Sequence, residues 1–361
     1  MKDFAKTLLE WHQRFGRKGL PWQGQKDPYK VWLSEIMLQQ TQVVTVKERY
    51  VDFLNKFPNI ELLANAPEDE VMSLWAGLGY YTRARNLHAC AKIIVEQYKG
   101  LFPTDSVTLS TLPGIGKSTA AAIASFCFGE RVSILDANVK RLLTRLLGLE
   151  TSFKSVKSQQ ELWDKANELV PKDSKDMPIY TQALMDFGAT LCTPKNPKCS
   201  ICVFQYDCLA LKKDKVHLIP FKEKKLKVKV VQSEMLFIRC REKVLLQLRP
   251  RKGIWGGLWS LPESDWHENL DETIQPLNIH MDSYPHLPRE LLGSYYEAGT
   301  LLAPRKHVFS HRILYFQVRV LLLQDMIELN SNQFQWINIL HADTVGLPTP
   351  VKQLLDDYVR A

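Results

Sequence analysis

Over the first 210 residues the apolar positions recur at helical rather than strand spacing, in stretches long enough for helices. Asp27-Pro28 predicts a helix start, with Asp27 as cap and Pro28 in the first turn, and Val31 to Tyr50 then continues without a breaker. Further helical stretches are divided at Pro58, Pro67, Gly77-Leu78-Gly79, Pro103, Pro113-Gly114, Gly129 and Gly148. From Leu211 to Val231 the pattern gives way to a lysine-rich stretch containing Pro220, read as a connector. Beyond it the period changes. Met235 to Ile238 and Val244 to Leu248 predict paired strands, Ile313 to Leu323 a further strand, and Pro348 to Tyr358 a closing helix. The expected fold class is α+β and multidomain: an all-α domain over 1–210, a basic connector over 211–231 and a small α+β domain over 232–361.

Length supports this division, because 361 residues exceed the usual single domain, and 45% hydrophobic residues let each part bury a core. No apolar run approaches the roughly 20 residues of a membrane-spanning helix. The N-terminal stretch is amphipathic but carries Asp3 and Glu10 and lacks a small-residue cleavage site. No membrane association is expected, and the protein should stay where it is made. The net charge of +8 is compatible with a polyanionic partner and is concentrated. Eight lysines face only Asp214 and Glu223 between Leu211 and Val231. A lysine run equally suits a solvated linker, so charge alone leaves nucleic acid open.

Four of the seven cysteines are crowded in Cys192-x6-Cys199-x2-Cys202-x5-Cys208, and Cys90, Cys127 and Cys240 stand apart. That suits one metal centre in a reducing compartment better than a disulfide scaffold. Zinc is the simple alternative, but zinc sites favour two separated Cys-x2-Cys knuckles, and a single loop with unequal gaps fits a [4Fe–4S] cluster better. This spacing, following the helical stretch Tyr180 to Leu191, resembles the cluster loop of the helix–hairpin–helix DNA glycosylases. The resemblance implies that the cluster helps dock DNA and takes no part in base excision. Lys195 and Lys198 could contact phosphates there or merely aid solubility.

Leu112-Pro113-Gly114-Ile115-Gly116-Lys117-Ser118-Thr119-Ala120 lies between helical stretches. Gly114 and Gly116 permit positive φ and close backbone approach, and the amides opening the next helix form an anion site. The segment resembles the helix–hairpin–helix motif, which implies a DNA-phosphate grip by Gly114, Gly116 and Lys117. In relatives that also cut the backbone, an amine nucleophile occupies the second position after the last glycine. Ser118 stands there, and Lys117 is turned about 100° away on a helix. A monofunctional enzyme is expected.

Glycosidic cleavage needs a proton for the departing base and negative charge near a cationic sugar. On a helix Glu35 is flanked by Val31, Trp32, Leu38 and Gln39, a mainly apolar face that should raise its pKa. Asp136 precedes a helix, whose N-terminus favours an anion. Taken alone, Glu35 could be a surface glutamate and Asp136 an N-cap. However, Ser-Glu-Ile-Met-Leu-Gln-Gln-Thr-Gln-Val (34–43) and Leu-Asp-Ala-Asn-Val-Lys-Arg (135–141) resemble the catalytic segments of the adenine DNA glycosylases, the MutY family. The resemblance implies that Glu35 protonates adenine and then helps activate water, that Asp136 stabilises the sugar cation, and that Asn138 supports it by hydrogen bonding.

The same resemblance implies an adenine pocket of Arg17, Trp22, Gln182 and Ser118. Gln39 and Gln40 would be wedged into the duplex, Tyr80 would stack beside the partner base, and Arg83 and Arg85 would reach phosphates. Gly253-Ile254-Trp255-Gly256-Gly257-Leu258-Trp259 resembles a Nudix-type domain, but Glu263 to Glu272 lacks the paired-glutamate pattern that holds magnesium, so pyrophosphate hydrolysis is not expected. Phe309, Ser310 and His311 match the family's lesion-reading loop; a strand-end turn is the plainer reading. The implied partner is duplex DNA with adenine opposite 8-oxoguanine or guanine, met by a monomer in the bacterial cytoplasm at the nucleoid. Ser118 and the C-terminal domain argue against a thymine-glycol or abasic-site endonuclease. The two carboxylates argue against a non-catalytic DNA binder, and the missing glutamates against a nucleotide pyrophosphatase.

Overall fold

The computed structural model describes residues 3–150, 155–221, 228–268, 284, 287–292, 300–309 and 311–360. The chain forms two compact units, one of 1–65 with 85–224 and the other of 66–84 with 225–361.

The first unit is helical. It contains α1 (Phe4–Phe15), α2 (Pro28–Leu38), α3 (Val43–Lys56) and α4 (Ile60–Asn65). After α5 (Glu68–Leu74), which belongs to the other unit, come α6 (Thr82–Tyr98), α7 (Ser106–Leu109), α8 (Lys117–Phe128), α9 (Ala137–Leu146), α10 (Val156–Glu168), α11 (Met177–Thr190) and α12 (Leu209–Lys212). The expected start of α2 is present: the Asp27 side chain accepts from the Tyr29 amide at 3.0 Å and Pro28 opens the helix. The helix does not run on to Tyr50. It ends at Leu38, and Gln40 takes a left-handed φ of 58° before α3 begins at Val43. No glycine or proline marks that break.

Small residues let helices approach closely. Ala120, Ala121, Ala122 and Ala124 on α8 are completely buried, and α8 packs on α2, α7 and α11. On α11, a side chain at Gly188 would lie 2.6 Å from the Cβ of Asn138, so the glycine lets α9 cross there. Trp11, Leu142, Tyr180, Leu184 and Phe187 fill the core between these helices.

The second unit is built on a mixed sheet of β1 (Lys229–Cys240), β2 (Lys243–Leu248), β3 (Trp259–Ser260), β4 (His267–Glu268), β5 (Arg305–Val308), β6 (Arg312–Leu322) and β7 (Phe334–Asn338). Its main path is β3-β2-β1-β6-β5, with β4 beside β1 and β7 beside β2. The central pair β1 and β6 is parallel, from Lys229 against Arg312 to Arg239 against Leu322, and therefore needs the long connection between them. The short α13 (Arg289–Leu292) is part of that connection, and α14 (Thr349–Arg360) follows the sheet where a helix is expected.

The expected boundaries require one correction. Helical spacing put 66–84 in the first domain, but its contacts lie with the second. Asp69 accepts from Trp259 Nε1 at 3.3 Å, Ser73 donates to the Asp343 carbonyl, Tyr81 donates to the Leu347 carbonyl at 3.1 Å, and Met72 sits against Gly346. Periodicity reports that a helix forms, not which core receives it.

Candidate active site

A cavity of about 900 Å³ opens in the helical unit, and both Glu35 and Asp136 line it. The carboxylates come from different elements, Glu35 from the middle of α2 and Asp136 from the residue preceding α9. Glu35 is only partly exposed. Burial first, and then the charge of Asp136, pushes its carboxyl up from 4.5 to about 8. The apolar helix face expected around Glu35 therefore has the anticipated effect, and the carboxyl carries a proton at neutral pH.

Asp136 is an N-cap as well as a cavity residue. Its Oδ1 accepts from the Val139 amide at 2.8 Å and its Oδ2 from Asn138 Nδ2 at 3.1 Å. Two N–H donors and the N-terminus of α9 are thus arranged to receive negative charge. Asn138 in turn accepts from Arg141 Nη2 at 2.8 Å, and Arg141 Nε donates to the Cys192 carbonyl at 2.8 Å. One guanidinium spans the Asp136–Asn138 pair and the start of the cysteine loop.

Arg17, Trp22, Gln182, Ser118, Gln39 and Gln40 line the same cavity, as expected of neighbours in one site. Trp22 is buried, with its ring edge-to-face on Tyr50 at 5.6 Å. The Ser118 hydroxyl accepts from the Leu135 amide at 3.1 Å, tying the start of α8 to the segment before Asp136. Lys117 is turned away, its ammonium 4.5 Å from the Trp163 ring centre. Gln39 donates to the Thr119 hydroxyl at 3.4 Å, while Gln40 is exposed. Sequence reasoning missed His12 and Asp186. His12 also lines the cavity, and Asp186 is completely buried among hydrogen-bond donors. An aspartate inside the apolar run Ala183-Leu184-Met185-Asp186-Phe187 was the available signal.

In the hairpin, Gly114 adopts φ +76° and a Cβ there would meet Asn86 at 2.8 Å. Gly116 does not use the positive φ that glycine permits. Its φ is −78°, an ordinary extended value, and a Cβ would meet nothing within 4 Å. Among the described residues nothing occupies that space, and α8 starts without a side-chain cap.

In the second unit Tyr80 is half exposed and has φ 48°. A left-handed aromatic is rare and is held here by its surroundings. Arg83 supplies part of that hold, donating through Nη2 to the carbonyls of Leu78 at 2.8 Å and Gly79 at 3.0 Å, with its guanidinium over the Trp75 and Tyr80 rings. The Arg83 guanidinium braces the turn before Tyr80. Arg85 is half-buried on α6. Phe309 closes the turn between β5 and β6, its amide donating to the Arg312 carbonyl at 2.8 Å, and packs among Trp255, Trp266 and His307. His311 is exposed; Ser310 lies outside the described residues.

Cys192, Cys199, Cys202 and Cys208 wall one small apolar cavity beneath α9 and α11, together with Leu146, Phe187 and Phe204. The sulfurs stand around this space: among the described residues no three His, Cys, Asp or Glu side chains gather on a single ion. Arg145 braces the loop, donating from Nη1 to the Thr193 carbonyl at 2.8 Å and approaching Cys192 Sγ at 3.5 Å. Burial chiefly, and then the neighbouring cysteines, pushes the Cys202 thiol up to about 12. Four cysteines lining one enclosed apolar space are the ligand set that an iron–sulfur cluster takes, and the cluster would hold all four as thiolates.

Comparisons with known proteins identify the parts of the chain. Residues 33–168 match the HhH-GPD superfamily of base excision DNA repair proteins, 192–208 the iron–sulfur binding domain of endonuclease III, and 234–357 the NUDIX domain. The chain is 37% identical to an adenine DNA glycosylase of Buchnera aphidicola subsp. Baizongia pistaciae, over 98% of this chain and 95% of that protein. It is 41% identical to the human adenine DNA glycosylase over 57% of this chain and 39% of that protein. Among solved structures, a thermostable thymine-DNA glycosylase superposes with a TM-score of 0.53 at 31% identity, over 58% of this chain and 95% of that one.

The raised Glu35 carboxyl gives a pH dependence. If the protonated form acts, the excision rate is flat through neutrality and falls about tenfold per pH unit above a midpoint near 8. Single-turnover rates between pH 6 and 10 measure this; a rate that rises across pH 8 contradicts an acid role for Glu35.

Proposed function

Because the chain belongs to the adenine DNA glycosylases, base-excision repair enzymes that carry a [4Fe–4S] cluster, we propose that it removes adenine mispaired with 8-oxoguanine or guanine and leaves the DNA backbone intact. The observation that carries the reading is the pair of carboxyl groups on one cavity, Glu35 protonated at neutral pH and Asp136 surrounded by N–H donors.

Adenine enters the cavity extruded from the duplex. Protonated Glu35 donates its proton to a ring nitrogen of the base, most simply N7. The C1′–N9 bond breaks with its electron pair leaving on the base, and positive charge develops on the sugar. Asp136 stabilises that charge, with Asn138 fixing the carboxylate. Glu35, now ionised, accepts a proton from water as the water oxygen bonds C1′, which regenerates the acid. Arg17, Trp22 and Gln182 shape the base-binding end, and Ser118 offers no amine for a covalent link to the sugar.

On the DNA, Gln39 and Gln40 occupy the duplex gap, and Tyr80 stacks beside the partner base. The Gly114-to-Lys117 segment and Arg85 meet phosphates. The NUDIX-matching unit reads the partner base through Phe309, Ser310 and His311. The four cysteines hold the cluster, whose contribution when bound is to fix the 192–208 loop. The enzyme acts as a monomer where the genome is, the cytoplasm. Among the described residues no helix is long and apolar enough to cross a membrane.

The test incubates the protein with duplexes carrying adenine opposite 8-oxoguanine, adenine opposite guanine, and thymine glycol. Adenine release from the first two, without base release from the third, is the expected result. Release from none defeats the proposal, and efficient borohydride trapping of a protein–DNA adduct defeats its monofunctional part.

A further inference from the structure

Asp186, on α11, is completely buried, and its two oxygens accept four hydrogen bonds. Oδ1 receives Arg17 Nε at 2.8 Å and Gln182 Nε2 at 2.9 Å; Oδ2 receives the Arg17 amide at 2.8 Å and His12 Nε2 at 3.1 Å. An ionised carboxylate has about four acceptor positions, so every position is used and the group has no second orientation of equal energy. All three partner residues, His12, Arg17 and Gln182, line the catalytic cavity. We infer that His12 is a positioning residue for base recognition, holding through Asp186 the Arg17 and Gln182 side chains that face the adenine.

The imidazole is itself fixed in place. Gly16 has φ −60° and ψ 148°, values open to any residue, so its lack of a side chain is not a backbone requirement. A Cβ there would stand 2.4 Å from His12 Cδ2 and 2.5 Å from His12 Nε2. The ring lies across the Gly16 backbone, and the Gly16 amide donates to the His12 carbonyl at 2.8 Å, so the end of α1 and the turn leading to Arg17 form one unit around the imidazole. Burial works against a charged Asp186, yet the His12, Arg17 and Gln182 contacts outweigh it and hold the carboxyl below its usual value. An acceptor-only carboxylate requires a proton on Nε2 of His12. Removing this fourth donor leaves one lone pair of a buried anion unpaired and frees the carboxylate to rotate, carrying Arg17 and Gln182 with it.

This inference rests on the reading of Arg17 and Gln182 as adenine-facing. Its test compares single-turnover rates on mispaired duplexes carrying adenine or unsubstituted purine, which lacks the exocyclic amine. His12→Phe is expected to lower the adenine-over-purine rate ratio by about tenfold, the worth of one well-made hydrogen bond to a charged group. His12→Gln, which keeps an N–H in reach of Asp186, restores most of the ratio. Gly16→Ala, which displaces the ring while keeping its chemistry, lowers the ratio as His12→Phe does and stands in if that variant fails to fold. A merely structural His12 would change the melting temperature and leave the ratio alone. An unchanged ratio in His12→Phe and Gly16→Ala, with a lowered one in Gln182→Leu, overturns the inference alone. An unchanged ratio in Gln182→Leu as well overturns both the inference and the pocket reading beneath it.

Discussion

Glu35→Gln is expected to lower the single-turnover rate of adenine release by about 10³-fold while mispair binding stays near that of the wild type, because the amide keeps the shape of the acid but has no proton to transfer. The loss corresponds to about 4 kcal/mol of transition-state stabilisation. A second readout moves in the opposite direction. The folded pKa of Glu35 lies near 8, above the unfolded value of 4.5, so folding retains a proton that the unfolded chain releases. The resulting cost is absent below about pH 4.5 and grows as pH rises towards 8. Glutamine removes it, so the variant should be more stable than the wild type at pH 7, by as much as about 3 kcal/mol, and converge with it at pH 4. Retained turnover removes Glu35 as the acid. Equal stability at pH 7 shows instead that its carboxyl is not pushed upward.

Asp136→Asn separates two tasks that one side chain performs. Asparagine caps helices about as well as aspartate, so the bond from the Val139 amide can persist and α9 should keep its start. The negative charge is gone, and the excision rate is expected to fall by about 10²- to 10³-fold, the usual loss when a preorganised electrostatic group is removed. Asp136→Ala loses the cap as well and should cost about 1 kcal/mol of stability beyond the asparagine variant. Thermal melts alongside single-turnover assays distinguish the losses. Asp136→Asn excising adenine at within tenfold of the wild-type rate would mean that its charge is not what the reaction uses.

Both predictions depend on residues that local sequence made visible. Glu35 stands on a helix whose neighbours in both directions are largely apolar, which makes a buried setting readable from sequence, although packing of the helical unit supplies the desolvation itself. Asp136 precedes an amphipathic helix, so its cap follows from the backbone amides just beyond it. The cysteines are close in sequence and had to be close in space. The strands β1, β2 and β6 and the final helix were marked by period alone. These features share a range of interaction of only a few residues.

The break after Leu38 was invisible for the opposite reason. Gln39 and Gln40 are acceptable helix residues, and what stops the helix is the loop that turns there, with Gln39 bonded to Thr119 eighty residues away. Arg83 reads as a surface cation in sequence, but the turn before Tyr80 offers it two carbonyls and two rings. Of the two hairpin glycines that permit positive φ, Gly114 uses that freedom and Gly116 does not.

The sequence by itself determined the helix-to-sheet change along the chain, the cysteine loop and the Asp136 cap, because propensity and capping act over one or two turns, while the motifs around Glu35 and Asp136 marked them as candidates by resemblance. Tertiary structure alone decided that α5 belongs with the sheet, that Glu35 and Asp136 share a cavity, and that a buried aspartate gathers His12, Arg17 and Gln182. Those outcomes depend on which distant surfaces fit together, a property of close packing that no local window of residues contains.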